Sequence, residues 1–430
     1  VTVGRVVGLR CLRCHAAFPP QEMPRGCPVC ADDRGASNVT PTYPPDLRGD
    51  ALRTAFAAGP RSMWRYAPLL PADGTPVTLE EGWTPLVRLE RLGDAWDLPG
   101  LWAKDETRNP TGSFKDRMFT VAITRARDAA AGVVTLASSG NAGAAAAAYA
   151  ARAGLRCVVF TTPEAPAAVR QQMQALGALL VATPTPAERW VLLQACVEEL
   201  GWHPLTNFLT PPVGSNPFGV EGYKTIAFEI CEACGWDPPE WVIVPTCYGD
   251  GLWGIVKGFL ELRERGLVAR TPRVAAAEVF GPLHAALAAG ADAVGTVPAG
   301  PSVAWSIAAG VSTYQALHAL RAAGGCAAVV DDAAILEAHA QLAAVEGLFV
   351  EPASAAALAA ARALRRQGML ARTDRVVAVL TATGLKDPGA AARPRPPVPV
   401  VAPRVDALMQ ALAEHYGVVV EPPRARPATG

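Results

Sequence analysis

Three groups of residues in this 430-residue chain have types and spacings that could do chemistry. The first is a lysine in the run Asn109-Pro-Thr-Gly-Ser-Phe-Lys-Asp-Arg117. Asn-Pro-Thr-Gly is turn-forming. Ser113 is positioned to cap a helix signalled by the apolar spacing of Met118, Val121, Ala122 and Ile123. Lys115 then falls in the first turn, where the positive helix end disfavours an ammonium. A lysine of lowered pKa is a candidate imine-forming amine. The competing reading is a surface lysine on an amphipathic helix. Composition weakens it: of 39 Lys and Arg residues, only Lys104, Lys115, Lys224, Lys257 and Lys386 are lysines. Arginine carries nearly all the basic charge.

The second group is cysteine. Cys11-Leu-Arg-Cys14 and Cys27-Pro-Val-Cys30 are two Cys-x-x-Cys knuckles with twelve residues between them. Each knuckle brings two thiolates to one metal, and two complete a tetrahedral four-cysteine site of the zinc-ribbon kind. Four thiolates leave no open coordination position, so the expected role is structural. A disulfide pair or a ribbon without metal are the rival readings. His15 is expected to be an exposed neighbour and not a ligand.

The third group is a pair of loops at predicted strand-to-helix junctions. Ser138-Ser-Gly-Asn-Ala-Gly143 follows the apolar run 133–137 and precedes an Ala-rich helix. Thr246-Cys-Tyr-Gly-Asp-Gly-Leu252 follows the apolar run 241–245 and precedes another helix. Ligand loops in open α/β sheets lie at such ends of strands. Helix-start N–H groups and the close backbone approach of glycine suit an anion. Cys247 could be read as a nucleophile, although packing is the plainer role.

The elements that must position these groups alternate between strand and helix. Strands are expected at 133–137, 156–160, 179–182, 241–245, 273–279 and 375–381. Helices are expected between them, at 167–176, 187–200, 252–265, 311–323, 333–346 and 353–366. This alternation predicts mostly parallel sheets covered on both faces. Residues 41–75, rich in Pro and Arg, read as a linker with a short helix near 52–58. The chain is half hydrophobic and 18% charged, with a formal net charge of zero. That balance gives no support to a nucleic-acid or anionic-membrane partner. No apolar run reaches the roughly 18 residues of a spanning helix. The cysteines outside the cluster are scattered through apolar segments, unlike a secreted disulfide framework. A cytoplasmic location is the default expectation.

Four strings together give a resemblance. Ser113-Phe-Lys-Asp-Arg117, Glu81-Gly-Trp-Thr-Pro-Leu86, Asn216-Pro-Phe-Gly-Val-Glu-Gly-Tyr-Lys-Thr225 and Leu380-Thr-Ala-Thr-Gly-Leu-Lys-Asp-Pro388 resemble strings of the threonine synthases. These are pyridoxal 5′-phosphate (PLP) enzymes of fold type II, the tryptophan-synthase-β type. The resemblance spans roughly residues 8–40 and 79–390, and similar ribbons precede the catalytic body in some family members. It implies an α/β protein with two parallel-sheet, three-layer lobes and a small zinc-ribbon-like module. The expected boundaries are 1–40 for the module, 45–107 plus 216–395 for the larger PLP-binding lobe, 108–215 for the smaller lobe and 396–430 for a C-terminal tail. It further implies that Lys115 holds PLP, that Asn141 contacts the cofactor ring oxygen, and that Ser138, Ser139 and Ala142 receive the substrate carboxylate. The phosphate of PLP falls to Thr246, Cys247, Tyr248, Gly249, Asp250 and Gly251, with Asp250 needing to turn outward. Thr381 pairs with the pyridine nitrogen, and a neutral hydroxyl there favours elimination over transamination. Cys11, Cys14, Cys27 and Cys30 hold structural zinc.

The implied activity is a lyase acting on an amino-acid substrate, with O-phospho-L-homoserine giving L-threonine and phosphate as the lead. A homodimer is compatible with the family. The chain departs from the pattern at three places, one being the loop after 241–245, where Cys247, Tyr248 and Asp250 stand in a stretch that the family fills with Gly and Asn. Ala382 replaces a Gly, and Gly219 stands where the family has an Arg for the substrate phosphate. Arg108, Arg117 and Lys224 are the candidate substitutes; Gly219→Arg is expected to strengthen phosphate binding if none of them serves, and to be neutral or harmful by crowding if another residue already does. Position 219 therefore keeps an alternative open: β-elimination or β-replacement on another amino acid, as in threonine/serine dehydratases or cysteate/cysteine synthases. From a different class, a metal-ribbon nucleic-acid module fused to an inactive enzyme body is disfavoured by the zero net charge and the intact Lys115, Asn141 and Thr381.

Overall fold

The computed structural model describes residues 5–72, 74–389 and 398–419. The chain divides into two compact units, Val1–Ala390 and Ala391–Gly430. The second contains one described helix, Val405–Tyr416. The rest of the expected tail, residues 396–397 and 420–430, lies outside the described residues, as do 1–4 of the expected module and 390–395 of the expected larger lobe.

Three sheets organise the first unit. Strands β1 (Gly8–Cys11), β2 (Ala17–Phe18) and β3 (Val39–Thr42) form an antiparallel sheet in the order β2-β1-β3. It carries the cysteine cluster. Strands β4 (Leu86–Arg88) and β5 (Leu101–Asp105) lead the chain into a second sheet. The chain then leaves to build a third from β6 (Val133–Ala137), β7 (Arg156–Thr161), β8 (Leu179–Ala182) and β9 (His203–Pro204), parallel throughout in the order β8-β7-β6-β9. It returns with β10 (Trp241–Pro245), β11 (Arg273–Glu278), β12 (Cys326–Val329) and β13 (Val376–Leu380). The six-stranded order is β12-β11-β10-β13-β5-β4, parallel except where β4 meets β5.

The six-stranded sheet is buried on both faces, as parallel sheets require. Val242, Val244, Val274, Ala276, Val377 and Val379 join one core. Their neighbours Trp241, Ile243, Ala275, Ala277, Val376 and Ala378 join the other. The Ala-rich runs thin the covering helices. Ala144 to Ala150 lie buried in the helix Asn141–Ala153, and Ala355 to Ala361 in the helix Pro352–Arg366. Small side chains let helix backbones approach each other and the sheet closely.

Two expectations fail here. Ser113 does not cap the lysine helix: the helix runs Lys115–Asp128, its N-cap is Phe114, and no side chain caps it. Ser113 Oγ is buried without a hydrogen-bond partner among the described residues, and Ser113 pairs as backbone with Ala382. Residues 41–75 are also not a linker. They hold the end of β3, the helix Gly49–Ala57 and a 3-10 turn, Met63–Leu69. Phe56 and Tyr66 are fully buried against Phe228. Arg65 and Tyr66 both bond Glu232. Composition misled because the prolines and arginines decorate a segment whose aromatics do the packing.

Candidate active site

The loops at the carboxyl ends of β5, β6, β7, β10 and β13, with the start of the helix Pro352–Arg366, supply the polar residues of the site. The lysine turn is stitched to β13: Phe114 N–H donates to the Thr381 carbonyl at 2.8 Å, beside the Ser113–Ala382 bridge. This fixes Lys115 at the head of its helix. Its ammonium lies 4.7 Å from the Phe114 ring centre and 5.6 Å from that of Tyr223. It makes no hydrogen bond or ion pair within the described residues. Burial lowers its pKa, and the more distant Asp250, Cys247 and Glu351 offset this in part. The next two residues are anchors. Asp116 accepts from the Thr111 N–H and hydroxyl at 2.7 and 2.6 Å. Arg117 is wholly buried and bonded by Glu106 and Glu229.

Asn141 opens its helix and donates to Glu351 Oε2 at 3.0 Å, while its Oδ1 is buried without a partner. Glu351 also accepts from Ser306 at 3.1 Å, and burial pushes its pKa up. Ser138 Oγ caps the same helix by accepting from Gly140 and Gly143 N–H at 3.2 and 2.9 Å. The first-turn N–H groups of Asn141 and Ala142 are left without an intrahelical acceptor. Ser139 Oγ accepts from Arg189 at 2.8 Å and from Thr161 at 3.3 Å. Thr381 Oγ1 lies 2.9 Å from Ser354 Oγ, which also receives the Ala382 N–H.

The loop after β10 turns through Gly249, at φ +86°, into the helix Asp250–Glu264, which has no side-chain cap. A Cβ on Gly249 would meet Ala316 at 2.2 Å, so only glycine makes this turn. Asp250 points away from the helix start: it accepts from Ser215 N–H and Oγ and from Gln315 Nε2. Thr246 Oγ1 is committed to the Val244 carbonyl. The anion-facing groups left in the loop are backbone N–H groups. Burial pushes the Cys247 thiol up to about 12, which suits packing and not nucleophilic attack.

The network around Asp250 reaches the cysteine module. Asn38 Nδ2 donates to the Ser215 carbonyl and to Gln315 Oε1, both at 3.1 Å. Gly214, at φ +129°, makes room, since a Cβ there would meet both amides within 2.7 Å. Asn38 follows Ser37, whose carbonyl receives the Cys27 N–H. The four cysteine sulfurs lie within 4.8 Å of one another. Cys11 and Cys30 are 3.5 Å apart, and Cys14 and Cys27 are 3.7 Å apart. Tetrahedral zinc with bonds of about 2.3 Å needs sulfurs about 3.8 Å apart. All four are free thiols. His15 is exposed and outside the cluster.

Position 219 departs from expectation. Gly219 is buried in the short helix Pro217–Val220, and its Cβ would meet Ala122 at 3.0 Å and Met118 at 3.2 Å. An arginine side chain has no space there. Two of the expected substitutes are occupied: Arg117 is held by two glutamates and Lys224 by Glu221 and Glu261. Arg108 pairs with Asp105 through Nε and is otherwise exposed. Sequence reasoning missed Glu351, Ser354, Ser306 and Arg189. Glu351 precedes a Pro that opens an Ala-rich helix, which reads as an ordinary helix start. The others lie in stretches with no distinctive spacing.

The arrangement fits PLP on its own terms. It offers a desolvated lysine with no acceptor, a buried amide on Asn141 whose Nδ2 has a second N–H beyond the one given to Glu351, a buried hydroxyl on Thr381, and a glycine-turned helix start whose acidic side chain faces away.

The profile of the family described as "Pyridoxal-phosphate dependent enzyme" matches residues 77–382. The threonine synthase of Methanocaldococcus jannaschii is 35% identical over 392 residues, covering 89% of this chain and 94% of that protein. That of Methanosarcina acetivorans is 34% identical, covering 94% and 98%. That of Synechocystis is 38% identical, covering 82% and 91%. Among solved structures, maize serine racemase superposes with a TM-score of 0.61 at 23% identity, over 70% of this chain and 88% of that one. A PLP-dependent aspartate racemase gives 0.60 at 22%, over 70% and 90%. At such identities the structural likeness speaks for the fold alone. The sequence relatives carry the finer assignment, and by them this chain belongs to the pyridoxal-phosphate-dependent enzymes of fold type II as a threonine-synthase-like lyase.

Proposed function

We propose that this enzyme converts O-phospho-L-homoserine into L-threonine and phosphate, with PLP on Lys115 and zinc on Cys11, Cys14, Cys27 and Cys30. The observation that carries the reading is the state of Lys115: desolvated, without an acceptor, and fixed by the β13 stitch. The names of the sequence relatives support the substrate.

Bound PLP would supply an electron sink beside the α-carbon of the substrate. Lys115 Nζ, whose burial favours the uncharged amine, accepts the α-proton and returns it later in the cycle. Asn141, steadied by Glu351, would donate its second Nδ2 N–H to the ring oxygen. Thr381, steadied by Ser354, would meet the pyridine nitrogen as a neutral partner. The N–H groups of Asn141 and Ala142 receive the substrate carboxylate, while Ser138 fixes the turn that presents them. The N–H groups of Gly249, Asp250 and Gly251 would cradle the cofactor phosphate. The buried Phe114 and Tyr223 keep water from Lys115 Nζ.

One observation favours a second reading. The packed Gly219 removes the family's phosphate arginine, which would suit elimination from an unphosphorylated amino acid. The deciding assay measures phosphate release and threonine formation from O-phosphohomoserine beside 2-oxo acid formation from serine and threonine. Threonine as the main product supports the first reading. Turnover of serine or threonine alone overturns it in favour of the second.

A further inference from the structure

An enzyme that expels an anionic leaving group needs a cation to receive it, and the usual position is closed here. Arg189 is an arginine bonded to the substrate loop, through Ser139. It lies in the first turn of the helix Pro186–Leu200, just past the carboxyl end of β8. That is the sheet edge from which Ser139 and Thr161 also project. Its side chain is half-buried. Nη1 donates to Ser139 Oγ at 2.8 Å and Nε to the Pro186 carbonyl at 3.2 Å. It forms no ion pair within the described residues. Ser139 is flanked in turn by the hydroxyls of Thr161 and Thr162, each at 3.3 Å.

The same turn reaches the opposite loop. The Trp190 ring lies 5.6 Å from that of Tyr248, in the loop after β10. Arg189 is close enough to Tyr248 to act on its titration, and burial of the guanidinium is not offset by any carboxylate. A half-buried guanidinium with most of its donors unused, fixed to a serine of the substrate loop, lacks its counter-ion. Planar bidentate donors match phosphate, sulfonate or carboxylate oxygens.

We infer that Arg189, with Ser139 and Tyr248, forms the subsite for the terminal oxyanion of the amino-acid substrate, in place of the arginine absent at position 219. The assignment to phosphate in particular rests on the threonine-synthase-like reading above. Ser139 accordingly serves the distal end of the substrate through Arg189, and not its α-carboxylate.

The test uses the holoenzyme and three variants, Arg189→Met, Arg189→Lys and Arg170→Met. Arg170 is the control, a half-buried arginine of the same lobe whose Nε, unlike that of Arg189, lacks a partner. Steady-state kinetics with O-phosphohomoserine are run beside calorimetric titration with inorganic phosphate. In Arg189→Met we expect KM and the phosphate Kd to rise about tenfold or more, with kcat less affected. Arg189→Lys should fall between, and Arg170→Met should match the wild type. Unchanged KM and phosphate affinity in a folded, active Arg189→Met enzyme overturn the inference and leave the proposed function standing. A wild type that binds phosphate through Arg189 without turning over O-phosphohomoserine keeps the subsite and overturns the proposed substrate. Absence of both turnover and Arg189-dependent phosphate binding overturns both.

Discussion

Three of the five lysines are neutralised by buried carboxylates. Lys104 pairs with Glu229, Lys224 with Glu221 and Glu261, and Lys257 with Glu221. Lys115 differs from them by having no acid at bonding distance, which is what leaves its amine available. Reduction of the holoenzyme with borohydride should therefore fix the cofactor on Lys115, as read by peptide mass spectrometry. Lys115→Ala should lose both the adduct and the activity, and an adduct on Lys104 or Lys386 would refute the assignment. The adjacent carboxyl gives a pH-dependent test. Burial pushes Asp116 up to about 7, against bonds from Thr111 and the charge of Lys386, and with the charge of Glu81. Between the ordinary carboxyl value of about 4 and that raised value, the folded protein holds a proton that the unfolded chain has released. Stability contributed by this group falls as pH rises through that window and is level above it. Asp116→Asn should remove a decline on the order of 2–4 kcal/mol, measured by urea unfolding at about pH 4.5 and about pH 7.5. An unaltered slope would show that Asp116 titrates normally.

At the level of elements, the helix Lys115–Asp128 is gripped from both sides, and two glycines set how tightly. A Cβ on Gly222 would sit 1.8 Å from the Arg117 carbonyl oxygen, so Gly222→Ala must shift one of two buried backbones. Gly219→Arg should lower stability by about 1–3 kcal/mol or more through overpacking, with no gain in O-phosphohomoserine affinity. A melting scan and a KM measurement check both halves of that expectation, which is the crowding outcome that the motif left open. The motif strings, strand runs and cysteine spacing made most of the α/β framework legible, because apolar runs of five residues between helices have few other uses. Contacts between distant segments were not legible. That Ser113 would pair with Ala382, that Glu351 would meet Asn141, and that Gly219 would face Met118 depend on how strands stack in the folded chain. Residues 41–75 misled for a related reason. Phe56 and Tyr66 find their partner, Phe228, in a helix far downstream, beyond the reach of any local pattern.

Across the first compact unit, the cysteine module and the loop after β10 share one hydrogen-bonded chain, from Cys27 through Ser37 and Asn38 to Gln315, Ser215 and Asp250. The module also rests on the body through Arg13 over the Tyr314 ring at 4.7 Å, and Tyr43, just after β3, bonds Glu221. A metal that closes the four thiolates contributes folding free energy to the module. Cys27→Ser should therefore lower bound zinc from about one per chain and raise the dissociation constant for PLP, followed by the visible absorbance of the cofactor. Asn38→Ala should weaken PLP binding while leaving the metal in place. Equal PLP affinity in both variants and the wild type would disconnect the two sites. If the link holds, a cell starved of zinc would hold this enzyme increasingly as vacant protein, and amino-acid output would track metal supply with no dedicated sensor between them.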